Sequence, residues 1–442
     1  MTYQILKPNL TNISAERKQF LDTEGLKIYF QEGLEEKYSN ENYLPREKIK
    51  YHPLPSQLLS HEELFYLIDK YRRGTRSPII TENGEYFKIG KPAFLEEFLY
   101  TIDTGLAGTF FGMRFTDMER KNFLQNGIIE EAVSSSQLEG ALTSSKEAKR
   151  LITQNKKPVT ISEKMVINNY QAMLYVRKTL KNQPLTRASL LELQNIITKG
   201  VLDDEQKVGR RRKNSDNIVV LSAITGEVYH IPPKEEFLQQ EIDKLITYAN
   251  DKDGQFTHPF IKASILHFWI AYLHPFCDGN GRTARAIFYR YLCKKGYWGF
   301  DYAPVSRVIN DAKTQYGDMF LYAEQDGLNL TYFFVYLAKK TKQAFKEFQD
   351  YLASQREKQK SGTKKFAKFN LNDRQIRLLN HFLSHPDSFT TITIHKKYYG
   401  ISKNTAKADL EELVGLEFLT ANKNGRVKQY YPTATIGSIK GQ

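Results

Sequence analysis

Residues 274–285 read His274-Pro275-Phe276-Cys277-Asp278-Gly279-Asn280-Gly281-Arg282-Thr283-Ala284-Arg285. The flanks settle where this stretch sits. Before it, FIKASILHFWIAYL is too long and too continuously apolar for an ordinary strand, so it predicts a buried helix. After it, Ile287, Phe288, Tyr291 and Leu292 fall on one side of a second helix, with Lys294 and Lys295 in its last turn and Gly296 to cap it. The glycine loop therefore joins one helix to the N-terminus of another, where unpaired backbone N–H groups and the dipole attract anions. Arg282 and Arg285 sit in that first turn or so, where a cation opposes the dipole by roughly 0.3–1 kcal/mol. Spaced i and i+3, they also repel each other. A local rule broken twice in one turn points to function, and a ligand with several negative charges, such as a nucleotide polyphosphate, is the simplest cause.

Three other motifs compete. GNGRTA fits a dinucleotide fingerprint, with Asp301 about 20 residues on, but the strand and βαβ unit it needs are not visible. DGNG resembles part of a calcium loop, yet Arg282 stands where a ligand oxygen belongs. No Walker lysine is present. The full pattern H-x-F-x-D-G-N-G-R-x-x-R fixes eight positions, and chance would match it at roughly 10⁻¹⁰ per start site. This stretch resembles the signature of the Fic family, whose members typically move AMP from ATP onto a protein hydroxyl. The resemblance covers roughly 115–345. Ala284 stands where the family commonly has glycine, a small change.

The chemistry and the resemblance imply the same roles. His274 is the base for a target hydroxyl, since its ordinary pKa of about 6.5 lies near working pH. Asp278 holds a Mg²⁺ on the phosphates of ATP. Gly279, Asn280 and Gly281 form the anion hole, with the Asn280 amide on the α-phosphate. Arg282 takes the outer phosphates, Arg285 grips the γ-phosphate through its planar fork, and Phe276 anchors the loop. Upstream, IIEEAVSSSQLEGALTSSKEAKR ends a helix near Gly140 and places Glu139 at its C-terminus, the wrong pole for an anion. Both anomalies vanish if the two helix ends meet and Glu139 pairs with Arg285. Ser135-x-x-x-Glu139-Gly140 resembles the inhibitory motif of many Fic proteins, in which a glutamate ties up the second arginine; Ser135 would orient it. The same glutamate could instead position a water that removes AMP. NIVVLSAITGEVYHIPP, residues 217–233, predicts a hairpin around Thr225-Gly226 and resembles the family's flap, which pairs with an extended target segment.

The expected fold is mainly α. Helices are expected near 116–138, 144–153, 161–180, 187–199, 234–250, 259–273, 280–295 and 331–352. Residues 1–110 mix short β-rich runs (KIYF, KIKYHPL) with the helical SHEELFYLIDKYRR and carry no evident chemistry. A Fic core is expected over 111–352, a charged linker over 353–369 and a winged-helix-like domain over 370–442. That tail carries 16 Lys/Arg against 7 Asp/Glu from Tyr351 to Gln442, out of a net charge of +14 for the 442 residues. Lys403, Asn404, Lys407 and the tip Asn424-Gly425-Arg426 would face DNA, although Asp409, Glu411 and Glu412 add acid to the same helix; docking to protein is the rival use. Two cysteines, no secretion signal and no membrane-length apolar run predict a cytoplasmic protein. The expected partner is a protein with a Ser, Thr or Tyr hydroxyl, itself included, and a homo-oligomer stays open. The alternatives are a different nucleotide, AMP removal, and an ATP-sensing DNA-binding regulator that would not need His274.

Overall fold

A computed structural model describes the chain except for residues 1–2, 6–9, 107–108, 155, 223–224, 385, 387, 425–426 and 439–442. It is mainly helical, as expected, with short antiparallel strand pairs. Two compact units emerge: residues 1–114 with 123–344, and residues 115–122 with 345–442.

The first unit is built around the helices Pro259–Leu273 and Asn280–Lys294, which pack closely against each other. In the first of these, every residue from Phe260 to Leu273 except Ala271 is buried, which explains its lack of any polar stripe. Helices Ile161–Lys178, Arg187–Thr198 and Glu235–Ala249 enclose the pair. The helix Asp117–Leu138 brings Glu139 to the site. Its Gly127 lies against another main chain: a Cβ there would stand 2.3 Å from the carbonyl oxygen of Asp301.

Residues 1–110 do not stand apart, contrary to the expected division. KIYF belongs to the helix Ala15–Gln31, whose buried Leu21, Gly25 and Ile28 recur at helical spacing, and Lys48-Ile49 lies in the short helix Arg46–Ile49. Four apolar-rich residues are too few to fix a period. The real strands, Gly74–Ile80 and Tyr86–Gly90, flank Asn83-Gly84, a turn signal present in the sequence. This region is sewn to the core. Arg72 donates to the Leu44 carbonyl and to the Tyr332 hydroxyl at 2.7 Å each, and also to the Tyr38 carbonyl. Gly90 N–H donates to Thr331 Oγ1 at 2.7 Å.

The expected linker is also corrected. One helix runs from Thr331 to Phe366. Its charged run is rich in Lys, Glu, Gln, Arg and Ala, which favour helix over coil once a packed first half nucleates it. In the second unit, helices Asp373–Ser384, Ile392–Tyr399 and Lys403–Gly415 surround Leu379, Phe382, Leu410, Leu413, Phe418 and Tyr430. Strands Thr390–Thr391, Val427–Pro432 and Leu419–Asn424 form a sheet in that order. The middle helix was not expected in TTITI, but Thr391 caps it through Ile394 N–H and Gly400 ends it at φ 63°. Gly425 and Arg426 of the expected tip lie outside the described residues.

Replacing Gly127 by Ala should destabilise the fold by about 1–3 kcal/mol through overpacking against Asp301. Helix propensity alone gives the opposite sign, a gain of about 1 kcal/mol. The urea midpoint decides between them.

Candidate active site

His274 ends the helix Pro259–Leu273 in a left-handed conformation, φ 45°. A non-glycine residue held there is unusual and turns the chain sharply into the loop. Arg212, buried, holds that turn: its Nε donates to the His274 carbonyl at 2.7 Å and its backbone N–H to the Pro275 carbonyl at 2.9 Å. The His274 ring is half-buried, with Nδ1 3.3 Å from the Ala271 carbonyl. A carbonyl only accepts, so Nδ1 carries the proton and Nε2 keeps its lone pair. Burial and the positive charge of His230 hold the ring's pKa down to about 4, against smaller opposing effects of Ala271 and Glu139. It is a neutral base at pH 7.

Phe276 is fully buried and anchors the loop, as expected. Asn280 differs from expectation. Its Oδ1 accepts from Phe276 N–H at 2.9 Å and its Nδ2 donates to the Phe276 carbonyl at 2.8 Å. The buried amide therefore closes the loop on itself, because both of its polar ends need partners there. Gly279 takes φ 82°, and a Cβ would meet Thr198 Cγ2 at 2.9 Å, so only glycine fits. Asp278 accepts from Gly279 N–H at 2.6 Å and pairs with Arg282 at 3.1 Å. Gln194, which the sequence did not mark, ties the Asp278 carbonyl to Gly209 N–H at 3.1 and 2.6 Å.

Arg285, 3 % exposed, is held on several sides. Its Nε donates to Ser135 Oγ at 2.7 Å, and its Nη2 donates to the Ser135 carbonyl and to Glu139 Oε1 at 2.8 Å each. The Tyr316 hydroxyl, which meets His267 Nε2 at 2.7 Å, lies near enough to the guanidinium to help hold its charge. Burial raises the Glu139 carboxyl pKa, but the charges of Arg285 and Arg282 outweigh it, and the net value lies below the usual range. Glu139 follows the last turn of its helix: Ala141 N–H donates back to the Ser136 carbonyl at 3.0 Å and Gly140 takes φ 94°. The carboxylate then lies over Gly281, where a Cβ would come within 2.3 Å of Oε1. Arg282, 1 % exposed, reaches Asp278 and, at 3.4 Å, the Ile197 carbonyl. The loop, both arginines, His274, Ser135 and Glu139 are thus brought to one helix end. The flap strands are Val220–Leu221 and Val228–His230; residues 223–224 between them lie outside the described residues.

A half-buried neutral histidine beside an arginine-lined helix N-terminus is an arrangement suited to a phosphate-bearing ligand. Residues 184–292 match the model of the Fic/DOC family, so the chain contains a Fic domain. It is 30 % identical over 129 residues to a protein adenylyltransferase Fic of Nematostella vectensis, covering 29 % of this chain and 28 % of that one. It is 29 % identical over 100 residues to protein adenylyltransferase fic-1 of Caenorhabditis elegans, covering 22 % and 20 %. The chain thus spans under a third of these curated relatives. In fold it is similar to a Fic family protein from Desulfovibrio desulfuricans G20, with TM-score 0.51, 17 % identity, and 79 % of this chain and 96 % of that one covered.

The His274 ring should titrate with a midpoint near 4 in histidine-selective NMR. Glu139→Gln removes an anion that favours the imidazolium, so the midpoint should move lower still.

Proposed function

We propose that the chain is a protein adenylyltransferase that moves AMP from ATP to a hydroxyl of a protein, held off at rest by Glu139. The observation that carries this reading is the convergence on one helix N-terminus of a neutral histidine and two buried arginines, one of them occupied by an internal carboxylate. His274 Nε2 takes the proton of the target hydroxyl. The hydroxyl oxygen bonds the α-phosphorus as the bond to the β-phosphate breaks, and pyrophosphate leaves. The backbone N–H groups of Asn280 and Gly281 face the charge that builds on the α-phosphate. Arg282 and Arg285 bind the outer phosphates.

Among the described residues no three His, Cys, Asp or Glu side chains cluster as a metal site. Asp278, whose side chain is 41 % exposed, fits a Mg²⁺ that arrives on the nucleotide, because this ion takes one or two carboxylates and fills its shell with phosphate and water. Such an ion neutralises phosphate charge. The metal role of Asp278 and the inhibitory role of Glu139 belong to this proposal.

Label transfer from α-labelled ATP with Mg²⁺, read on the protein itself, tests it. Wild type should label faintly, Glu139→Gly strongly, and Glu139→Gly/His274→Ala roughly 10²–10⁴-fold less than Glu139→Gly. Because an unpaired buried Arg285 can cost about 3–5 kcal/mol, circular dichroism should accompany each variant. A folded Glu139→Gly that labels no faster than wild type removes the inhibitory role. No label in any variant, with ATP binding measured, turns the reading to another nucleotide or to ATP sensing.

The second unit supports a further role, DNA contact by a winged helix. The acids of its helix Lys403–Gly415 are engaged within the unit: Asp409 is buried against Arg374 at 2.7 Å and His395 at 3.1 Å, Glu411 pairs with Lys428 at 2.7 Å, and Glu412 accepts from Gln375 at 2.8 Å. Lys403, Asn404 and Lys407 remain exposed on one face of their helix. Lys403→Glu/Lys407→Glu should weaken retention on DNA at low salt and flatten its salt dependence by about two charges. Unchanged retention leaves protein docking as the use of this face.

A further inference from the structure

The mechanism leaves one titratable group beside the site unexplained. His230 closes the flap strand Val228–His230, and both of its ring nitrogens face acceptors. Nδ1 lies 2.7 Å from Glu324 Oε2, on the helix Lys313–Gln325, and Nε2 lies 2.7 Å from the carbonyl oxygen of Tyr272. A neutral imidazole has one N–H and satisfies only one of these. Two acceptors at 2.7 Å require two N–H groups, so the ring is an imidazolium. Tyr272 stands two residues before His274 on the same helix end.

We propose that His230 is a positioning residue for the transfer: a doubly bonded cation that pins the strand on which the target docks to the helix end that carries the base. The proposal rests on the adenylyltransferase reading of this site. The flap exposes Val219, Leu221 and Ile231, the apolar surface that an added strand would cover. A hairpin this short is not stable alone, so an anchor is needed to hold its edge in register with His274. Arg212 acts from the other side, donating from Nη2 to the carbonyl oxygens of Pro233, just past the flap, and of Leu273, the latter at 3.2 Å.

The charged and titratable groups that bear on His230 are Glu324, Tyr272, Arg212 and His274. Burial and Arg212 disfavour its charge, but Glu324 and the Tyr272 carbonyl outweigh them, and the pKa lies above the ordinary value. For a raised histidine, the stabilisation is complete below the unfolded pKa of about 6.5 and is lost as pH rises through the folded value. The flap anchor should therefore loosen on the alkaline side. The His230 charge also opposes protonation of His274.

The test uses the full chain without nucleotide, so it is independent of whether AMP is transferred. Hydrogen exchange of peptides spanning 217–233 and the NMR titration of His274 are compared in wild type, His230→Gln and Glu324→Gln. Both variants should lose protection in the flap, and in His230→Gln, which removes the cation outright, the His274 midpoint should shift upward from its wild-type value. In wild type, flap protection corrected for intrinsic exchange should fall as pH rises. Loss of protection with an unmoved His274 midpoint in His230→Gln would mean a structural anchor only and would overturn the proposal, as would protection unchanged in both variants. If His230→Gln fails to fold, Glu324→Gln and the wild-type pH series decide alone.

Discussion

The site depends on two helix ends that each carry the wrong charge. Arg282 and Arg285 stand at the positive pole of Asn280–Lys294, and Glu139 follows the negative pole of Asp117–Leu138. Left alone, each charge works against its dipole by some tenths of a kcal/mol. Brought together at 2.8 Å, the carboxylate and Arg285 serve each other, and Glu139 also lies over the first turn of the opposite helix. The neighbouring residues serve that meeting. Gly281 leaves room for the carboxylate, Gly140 ends the helix that delivers it, and Ser135 fixes the remaining face of the guanidinium.

This pair was legible in the sequence because each partner breaks a local rule that a single helix cannot repair. Helix positions were legible for the same kind of reason: the pattern around 259–294 is long and the glycines at its joint are few in meaning. What the sequence hid were long-range uses of polar groups. The role of Arg72 depends on Tyr332, and that of Arg212 on the carbonyls of Pro233, Leu273 and His274. No local spacing announces such a donor. Asn280 misled for a related reason. An amide in an anion loop suits either a ligand or the loop itself, and burial gave it to the loop. The charged run after residue 352 misled through composition, since the residues that make a good linker also make a good exposed helix.

Two constraints on His274 pull in one direction. The left-handed turn and the Ala271 carbonyl settle which nitrogen is free, while burial and the cation at His230 keep that nitrogen unprotonated. A base with so low a pKa is weak in the empty site. Phosphate groups brought beside it would stabilise the imidazolium and strengthen the base as the nucleotide binds. Under the proposed function, basicity at His274 is coupled to occupancy rather than built into the resting protein.

Under the proposed function, the same reasoning explains why a carboxylate suits an inhibitory role for Glu139. Glu139 offers Arg285 what a terminal phosphate would offer, an anionic oxygen at hydrogen-bonding distance, and it does so inside the chain. Inhibition as proposed would then be competition for one guanidinium, not occlusion of the whole pocket. Arg282 and Asp278 pair with each other at 3.1 Å and under this proposal would receive the rest of a nucleotide. A ligand lacking the outermost phosphate has no quarrel with Glu139, so the contact discriminates by the placement of one phosphate and not by the adenosine. Because Arg285 is almost fully enclosed, added salt screens this competition far less than it would a surface pair. The helix end that carries Glu139 is itself held, by bonds from Lys313 Nζ to the Gln137 carbonyl at 2.6 Å and from Asn310 Nδ2 to Gln137 Oε1 at 3.0 Å.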